Sequence, residues 1–228
     1  MTNATEPDVS SAAPPVRVRI DFVSDVVCPW CVIGLKSLEQ ALARLDGRVA
    51  ADIHFQPFEL NPQMPPEGEE IGAHLRRKYG SSDEQMARNR DNIRARGAAL
   101  GFEFRMDKRD RTFNTFDAHR LLHWAETEGR QQPLKHALFS AYFTRGENVS
   151  DHAVLLRCAQ QAGLPAERAR EILTTGAYAT EVRAQERFYV QNGIQGVPAV
   201  IVNERHLISG GQPPEVFEGA LRQIAGIA

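Results

Sequence analysis

The stretch Val26-Val27-Cys28-Pro29-Trp30-Cys31 follows an alternating run of apolar and charged residues at positions 16–22 and precedes a helical pattern. An α-helix turns once in about 3.6 residues, so Cys28 just before the first turn and Cys31 one turn later can lie on the same side and form a disulfide. Pro29 suits the first turn, because its missing N–H would have no partner there. The spacing therefore predicts a redox-active cysteine pair at a strand-to-helix junction.

The two cysteines are expected to differ in their chemistry. The unpaired N–H groups at the start of the helix, and the positive end of its macrodipole, favour the thiolate form of Cys28. Only the reduced form has a thiolate to stabilise, so this effect makes the disulfide a better oxidant. We therefore expect Cys28 to be the nucleophile and Cys31 to be the more buried, resolving thiol.

Other uses of a Cys-x-x-Cys pair are less consistent with the sequence. Zinc would need further ligands, and the candidates, Cys158 and the pair His119 and His123, lie far outside the spacing of a zinc finger. A structural disulfide would close a loop too short to constrain the unfolded chain much. Cys158 lies on the apolar stripe of a helical pattern, which favours a buried structural thiol. No metal site is predicted, and no residue pattern indicates a cofactor.

Composition limits the partners. The 228 residues are enough for one large domain, or for a domain with a substantial insertion. Apolar residues make up 42% of the chain and charged residues 25%, which is typical of soluble globular proteins. A formal net charge of −2 gives no reason to expect nucleic acid or an anionic membrane as a partner.

Residues 1–15 are polar, small and proline-containing. They lack the basic start and apolar centre of a secretory signal, so we expect a disordered tail on a cytoplasmic protein. No apolar run approaches the length of a membrane span. Permanent disulfides are rare in the cytosol, so this location also favours cysteines that cycle between their two redox states.

The first third of the chain predicts a parallel βαβ unit. A strand over residues 16–22 is followed by a helix with one apolar stripe, which stops near Gly47. A second strand is expected over residues 49–58. Strand, helix and strand in this order favour parallel pairing with a right-handed crossover.

Helical signals dominate from there to about Gly193. Ser81 and Glu84 have the spacing of a capping box, and Ser150 is placed to cap a later helix. Strand signals return at residues 199–202 and 207–208, and a closing amphipathic helix is expected over residues 213–227. The order predicts one α/β domain interrupted by a helical insertion.

Several further segments carry a family likeness. They are Pro57-Phe58-Glu59-Leu60-Asn61-Pro62, Asn114-Thr115-Phe116-Asp117-Ala118-His119-Arg120, Gly196-Val197-Pro198 and Ser209-Gly210-Gly211-Gln212-Pro213. Together with Cys28-Pro29-Trp30-Cys31, they make the chain resemble the thioredoxin superfamily, and more closely its DsbA-like members of the cytosolic FrnE type. The resemblance covers roughly residues 16–226.

The resemblance implies an α/β, thioredoxin-like fold with a large helical insertion. Residues 16–60 and 194–228 would form the thioredoxin-like domain, and residues 61–193 the insertion. The expected activity is that of a thiol-disulfide oxidoreductase acting through Cys28 and Cys31, with Pro29 and Trp30 completing the motif. Its partners would be thiol or disulfide substrates, with glutathione among the candidates.

The resemblance also implies roles for residues distant from the motif. A cis bond before Pro198 would face the cysteines, so that Val197 and Pro198 could pair with an extended substrate. Asn114 and His119 would lie near the cysteine site as substrate contacts. Glu59 would lie nearby, where a carboxylate could accept a proton.

Two alternatives stay open. Glutathione-dependent transferases or isomerases share this insertion-bearing fold, but they typically carry serine in place of the first cysteine, so Cys28 disfavours this activity. The other alternative is a redox-inactive interaction module or chaperone whose helical insertion binds partners.

Overall fold

The computed structural model describes residues 14–227. Within this range the strands are β1 (Val16–Ser24), β2 (Val49–Pro57), β3 (Glu69–Glu70), β4 (Arg111–Thr112), β5 (Ala199–Val202) and β6 (His206–Ser209). The α-helices are α1 (Pro29–Arg44), α2 (Ile71–Tyr79), α3 (Asp83–Ala99), α4 (Phe116–Thr127), α5 (Gln131–Phe139), α6 (His152–Gln161), α7 (Ala166–Thr175), α8 (Ala179–Gln191) and α9 (Pro214–Ala225). A π-helical turn, Ser140–Arg145, continues α5. Residues 1–13 of the tail predicted at residues 1–15 lie outside the described residues.

The main sheet has the strand order β2-β1-β5-β6. Strands β1 and β2 run parallel, in a register that pairs Val16 with Val49 and Ser24 with Pro57, while β5 is antiparallel to both β1 and β6. The predicted parallel βαβ unit is therefore confirmed. Strand β2 ends at Pro57, one residue earlier than predicted, because proline has no N–H with which to extend the ladder.

Helix α1 connects the parallel strands and buries one face. Ile33, Leu35 and Leu38 are each 0% exposed, and α1 packs against α9. The helix ends at Arg44, and Gly47 follows in a turn with φ of +72°, a conformation that favours glycine. The prediction that the helix stops near Gly47 is confirmed.

The capping residue of α3 differs from the prediction. Ser82, not Ser81, is the N-cap: its hydroxyl accepts the N–H of Gln85, and the Gln85 side chain accepts the N–H of Ser82. Ser81 with Glu84 has the same spacing as Ser82 with Gln85, so the local pattern could not distinguish the two frames. The helix starts one residue later than the predicted frame.

The capping residue of α6 also differs. Asp151, not Ser150, accepts the N–H of Ala153. The hydroxyl of Ser150 instead donates to the carbonyl oxygen of Asn114 at 2.6 Å. The side chain of Ser150 therefore bonds to a distant segment, and its neighbour Asp151 caps the helix.

The insertion and the sheet share an apolar core. Helices α4, α5 and α8 pack against β2, and the main buried cluster includes Phe22 and Phe55 of the sheet together with Leu134 and Phe143 of the insertion. This is the thioredoxin-like fold with a helical insertion that the sequence resemblance implies. Division at residues 60 and 194 into separate domains stays a prediction. No helix within residues 14–227 combines the length and the apolar character needed to span a membrane.

Candidate active site

The cysteine motif lies at the start of α1. Cys28 precedes the helix with extended backbone, at φ −91° and ψ 113°, and Pro29 occupies the first helical position, as predicted. The N–H of Cys31 donates to the carbonyl of Cys28 at 3.1 Å. Cys28 is 3% exposed and Cys31 is 0% exposed, and both are free thiols. Cys31 is therefore the more buried thiol, while Cys28 keeps a small opening to solvent.

The segment before β5 faces Cys28. The bond between Val197 and Pro198 is cis, and the carbonyl oxygen of Val197 lies 3.7 Å from Sγ of Cys28, where it can accept the thiol hydrogen. The Pro198 ring packs against α1, and a Cβ at Gly34 would lie 3.0 Å from its Cγ. The structure thus brings Cys28 and Val197 into contact, and Gly34 leaves the space that Pro198 needs.

Trp30 is partly buried between two distant segments. The guanidinium carbon of Arg96 lies 5.1 Å from the centroid of its ring, within the range of a cation–π interaction. Nη2 of Arg96 also donates to the carbonyl oxygen of Gly211 at 2.6 Å. A Cβ at Gly211 would lie 2.9 Å from the carbonyl oxygen of Trp30, so glycine permits this close approach.

Three ionisable side chains, Asp25, His119 and Lys135, form a buried polar cluster beside the cysteines. Oδ2 of Asp25 accepts the N–H of Leu60 at 2.7 Å, and Oδ1 lies 3.4 Å from Nε2 of His119. Lys135 is 0% exposed, and within the described chain its Nζ has no hydrogen-bond partner. Its ammonium lies 5.0 Å from the ring centroid of Phe139.

Burial and mutual charge set the protonation of this region. Burial raises the pKa of Cys31 well above its ordinary value, Cys28 raises it further, and Lys135 opposes both. Burial lowers the pKa of Lys135 to about 8, although Cys31, Asp25 and Cys28 each raise it. Burial also raises the pKa of Asp25, but its neighbours, His119 first, outweigh that effect and lower the pKa overall. The site therefore combines a carboxylate, a weakly held lysine proton and a thiol that is difficult to ionise.

Glu59 belongs to a second buried acidic group. Its Oε2 contacts Nη1 of Arg183, which also donates to Oε2 of Glu186 at 2.7 Å. The guanidinium carbon of Arg183 lies 3.7 Å from the ring centroid of Phe116. Burial, and then the charge of Glu186, raises the pKa of Glu59 to about 7, with Arg183 opposing both. Glu59 is thus a buried carboxyl group that titrates near neutral pH.

Asn114 and His123 make hydrogen bonds within the fold. Nδ2 of Asn114 donates to the carbonyl of Met64 at 3.1 Å, and its Oδ1 accepts the N–H of Phe116 at 2.9 Å. His123 Nδ1 lies 3.2 Å from Oε1 of Gln185. Among the residues described, no group of three or more side chains could hold a metal ion. His119 is buried against Asp25. Contact of substrate with Val197, Pro198, Asn114 and His119 stays a prediction.

Cys158, the third cysteine, is buried in the helical insertion. It is 0% exposed, and its Sγ lies 3.7 Å from the carbonyl oxygen of Ala137. Burial raises the pKa of Cys158 to about 11, so the thiol stays protonated near neutral pH. The predicted burial of this thiol is confirmed.

The sequence prediction missed Asp25 and Lys135. Asp25 lies shortly before Cys28 in the chain, and an acidic residue so close to a cysteine pair is a signal that could have identified it. Lys135 follows Leu134 in an amphipathic helix and has no such local signal. Its burial depends on how α5 packs against β2, which is a tertiary effect.

Comparison with protein families and known sequences gives two matches over most of the chain. The sequence model of DSBA-like thioredoxin domains matches residues 19–222. An uncharacterised protein of Bacillus subtilis, YwbO, is 26% identical over 207 residues, which cover 90% of this chain and 96% of that protein. The residues matched by the family model span the cysteine motif and the segment before β5.

Solved structures give the same fold. A probable DsbA oxidoreductase from Streptomyces coelicolor is 39% identical, with a TM-score of 0.85, and the match covers 92% of this chain and 90% of that one. A cytosolic disulfide reductase from Pseudomonas aeruginosa, DsbM, solved with GSH, has a TM-score of 0.62 over 92% of this chain and 100% of that one. Its identity is 17%, so this second likeness concerns the fold alone.

Proposed function

The chain belongs to the family of DSBA-like thioredoxin domains, and from that membership we propose that it is a thiol-disulfide oxidoreductase whose redox pair is Cys28 and Cys31. One observation carries the proposal. Cys28 lies at the start of α1 with its Sγ 3.7 Å from the carbonyl of Val197, and Cys31 follows one helical turn later. A nucleophile, a resolving thiol and a backbone acceptor for substrate are thereby available at one place.

The proposed reaction is two successive exchanges. The Cys28 thiolate attacks one sulfur of a substrate disulfide, so that a mixed disulfide forms and the first substrate thiol leaves. The Cys31 thiolate then attacks Sγ of Cys28, which forms the protein disulfide and releases the second substrate thiol. The protein loses two electrons, the substrate gains them, and the protons of the two cysteines end on the two released thiols. The reverse sequence reduces the protein.

The second exchange needs help from the buried polar cluster. Cys31 must lose its proton although burial raises its pKa, and the charge of Lys135 lowers that pKa. Asp25 in turn favours the charged form of Lys135. We assign Lys135 and Asp25 the role of positioning residues, which make the Cys31 thiolate accessible without touching the substrate.

The substrates are proposed to be thiol or disulfide compounds, with glutathione among them, and the working compartment to be the cytoplasm. The name of the Pseudomonas relative, a cytosolic disulfide reductase solved with GSH, supports both points as an analogy of fold. A glutathione transferase activity is less well supported, because Cys28 stands where such relatives typically carry serine.

Reduction of insulin by wild type and three variants, with glutathione present to return the oxidised cysteine pair to thiols, tests the proposal. Cys28→Ser should abolish turnover, and Cys31→Ser should accumulate a mixed disulfide with substrate that the mass of the intact protein reveals. Cys158→Ala is the matched control, and it should retain turnover because Cys158 is fully buried and its thiol contacts the carbonyl oxygen of Ala137. Glutathione conjugation that survives Cys28→Ser would overturn the proposal in favour of a transferase. A wild-type protein without activity in either assay would overturn it in favour of a binding module.

A further inference from the structure

Two cations of the helical insertion flank the cysteine motif. Arg96 of α3 lies over the ring of Trp30 at 5.1 Å and is held there by its hydrogen bond to Gly211. Lys78 of α2 donates through Nζ to the carbonyl of Leu60 at 2.7 Å and to Oδ1 of Asn61 at 2.8 Å. One cation therefore lies beside Trp30, and the other beside the segment that follows β2.

A chain of contacts connects Lys78 to Cys28. Leu60, whose carbonyl accepts from Lys78, donates its own N–H to Asp25 at 2.7 Å. The carbonyl of Asp25 in turn accepts the N–H of Cys28 at 3.3 Å. Tyr79, the residue after Lys78, is 58% exposed, and its ring centroid lies 5.4 Å from Nζ of Lys78. The pKa of the Tyr79 phenol is raised first by burial and then by the charge of Cys28. The end of α2 thus lies within electrostatic range of Cys28.

These two cations have no carboxylate partner within ion-pair distance in the described part of the chain. Other cations of the same helices are paired: Arg76 with Asp83, Arg77 with Glu69, Arg88 with Glu84 and Arg94 with Asp91. Arg96 uses Nη2 for Gly211, and a guanidinium has four further N–H donors. Lys78 has a third ammonium proton beyond its two bonds. Both cations therefore keep donors for a ligand.

The acidic groups near the motif do not cancel this charge at the surface. The side chain of Asp25 is 1% exposed, and that of Glu59 is also 1% exposed. Both carboxyl groups face the interior, while Arg96 is partly exposed and Lys78 is exposed. These two carboxyl groups therefore do not offset the charge of Arg96 and Lys78 at the surface.

We propose that Arg96 and Lys78 form a specificity rim that binds the carboxylates of anionic disulfide substrates and orients them over Cys28. The inference rests on the proposed function, because it assumes that Cys28 attacks a substrate disulfide. Arginine can hold a carboxylate through two parallel hydrogen bonds, and lysine adds a point charge. The ligand class is a disulfide that carries carboxylate groups, such as glutathione disulfide or the disulfide of an acidic cysteine-containing peptide.

Three small disulfides of different charge test the rim. The reduced full-length protein is mixed with glutathione disulfide, which is anionic, with neutral 2-hydroxyethyl disulfide, or with cationic cystamine, and oxidation is followed by rapid alkylation and intact mass. The measured quantity is the ratio of the rate constants for the anionic and the neutral disulfide. We expect that ratio to fall about threefold in Arg96→Gln or Lys78→Gln and about tenfold in the double variant, as for partly exposed charge pairs. The relative rate with cystamine should rise in the same variants.

Charge-matched variants separate recognition from general effects. Arg88→Gln and Arg76→Gln each remove one exposed cation from the same two helices, and both should keep the wild-type ratio. Arg96→Lys keeps the charge but not the paired donors, so it should retain only part of the ratio, and 0.5 M salt should lower the ratio in wild type. A double variant with the wild-type ratio, or equal losses with all three disulfides, would overturn the rim. If none of the disulfides oxidised even the wild type, the proposed function itself would fail.

Discussion

Replacing Lys135 with methionine should make the reduced protein more stable and, at the same time, slow its redox cycle. Lys135 is 0% exposed, and its ammonium lies 5.0 Å from the ring centroid of Phe139 and 5.9 Å from that of Phe55. Methionine is unbranched and flexible, so it can occupy the same space without a charge. Because the two effects have different physical origins, one variant tests both.

The gain in stability follows from the pKa of Lys135. Burial lowers that pKa from 10.5 to about 8. Each pKa unit corresponds to about 1.4 kcal/mol, so the charged lysine costs roughly 3 kcal/mol of folding free energy at neutral pH. The cost is fully present below pH 8 and disappears as the pH rises from about 8 to 10.5, where the native amine is neutral and the unfolded one still charged. We expect Lys135→Met to raise the free energy of unfolding by about 1 to 3 kcal/mol at pH 7.

The slower cycle follows from the effect on Cys31. Lys135 lowers the pKa of Cys31, so removing the ammonium raises it. Loss of the neighbouring positive charge therefore lowers the fraction of Cys31 that is present as thiolate at neutral pH. A more basic thiolate is also a better nucleophile, which offsets about half of this loss on a logarithmic scale. We expect the resolving step to slow about fivefold to tenfold.

Two measurements check the prediction. Urea unfolding of the reduced protein at pH 7 and pH 10 gives the stability difference, which should be smaller at the higher pH. Rapid mixing that follows release of the second thiol from a preformed mixed disulfide gives the resolving rate. Lys36→Met is the control, since Lys36 is a 28% exposed lysine of α1 paired with Glu39 at 2.9 Å, and it should change both quantities little. A Lys135→Met protein that is less stable than wild type at pH 7, or that resolves as fast, would refute the reasoning.

Three further predictions concern stability. Glu59→Gln should raise the free energy of unfolding by about 1 to 2 kcal/mol at pH 8 and lose this gain near pH 4.5. The reason is that burial raises the pKa of Glu59 from 4.5 to about 7 and penalises only its ionised form. Denaturation at both pH values checks this, and an equal gain at both would contradict it. Cys158→Ala should cost about 1 to 2 kcal/mol in thermal unfolding and leave insulin reduction intact, whereas lost reduction would show that this thiol takes part. Gln131→Leu should cost about 2 to 4 kcal/mol in urea unfolding, because Gln131 bonds both the N–H and the carbonyl of Phe55 on the edge strand β2, at 2.7 and 2.9 Å. A cost below about 1 kcal/mol would mean that other groups satisfy these backbone atoms.

The βαβ start could be predicted because its signals are local. The alternation at residues 16–22, Pro29 at the first helical position and a glycine after the helix each report on the backbone where they occur. The N-cap residues of helices in the insertion were harder to predict from the sequence. Ser81 and Ser82 have equivalent partners three residues later, and Ser150 was drawn into a bond with Asn114, so the outcome depended on tertiary contacts.

The site could be predicted in part. Cys28 and Cys31 carry a specific motif, whereas the position of Pro198 opposite them came from family resemblance, because nothing around Val197 and Pro198 indicates an isomer. Lys135 could not be found from sequence. A lysine in an amphipathic helix is ordinarily exposed, and only the packing of α5 on β2 turns this one inward.

The helical insertion places charged side chains near the cysteine motif both in the interior and at the surface, and under the proposed function the two sets would act on different steps. Lys135 lies in the interior, where it affects the ionisation of Cys31, while Arg96 and Lys78 lie at the surface, where they would act on the incoming substrate. Salt screens exposed charges far more than buried ones. Ionic strength should therefore change the relative rates with different disulfides without changing the rate of the resolving step. A change of pH near 8 should change the rate of the resolving step without changing those relative rates. On this reasoning the insertion would determine separately which disulfide reacts and how fast the mixed disulfide is resolved.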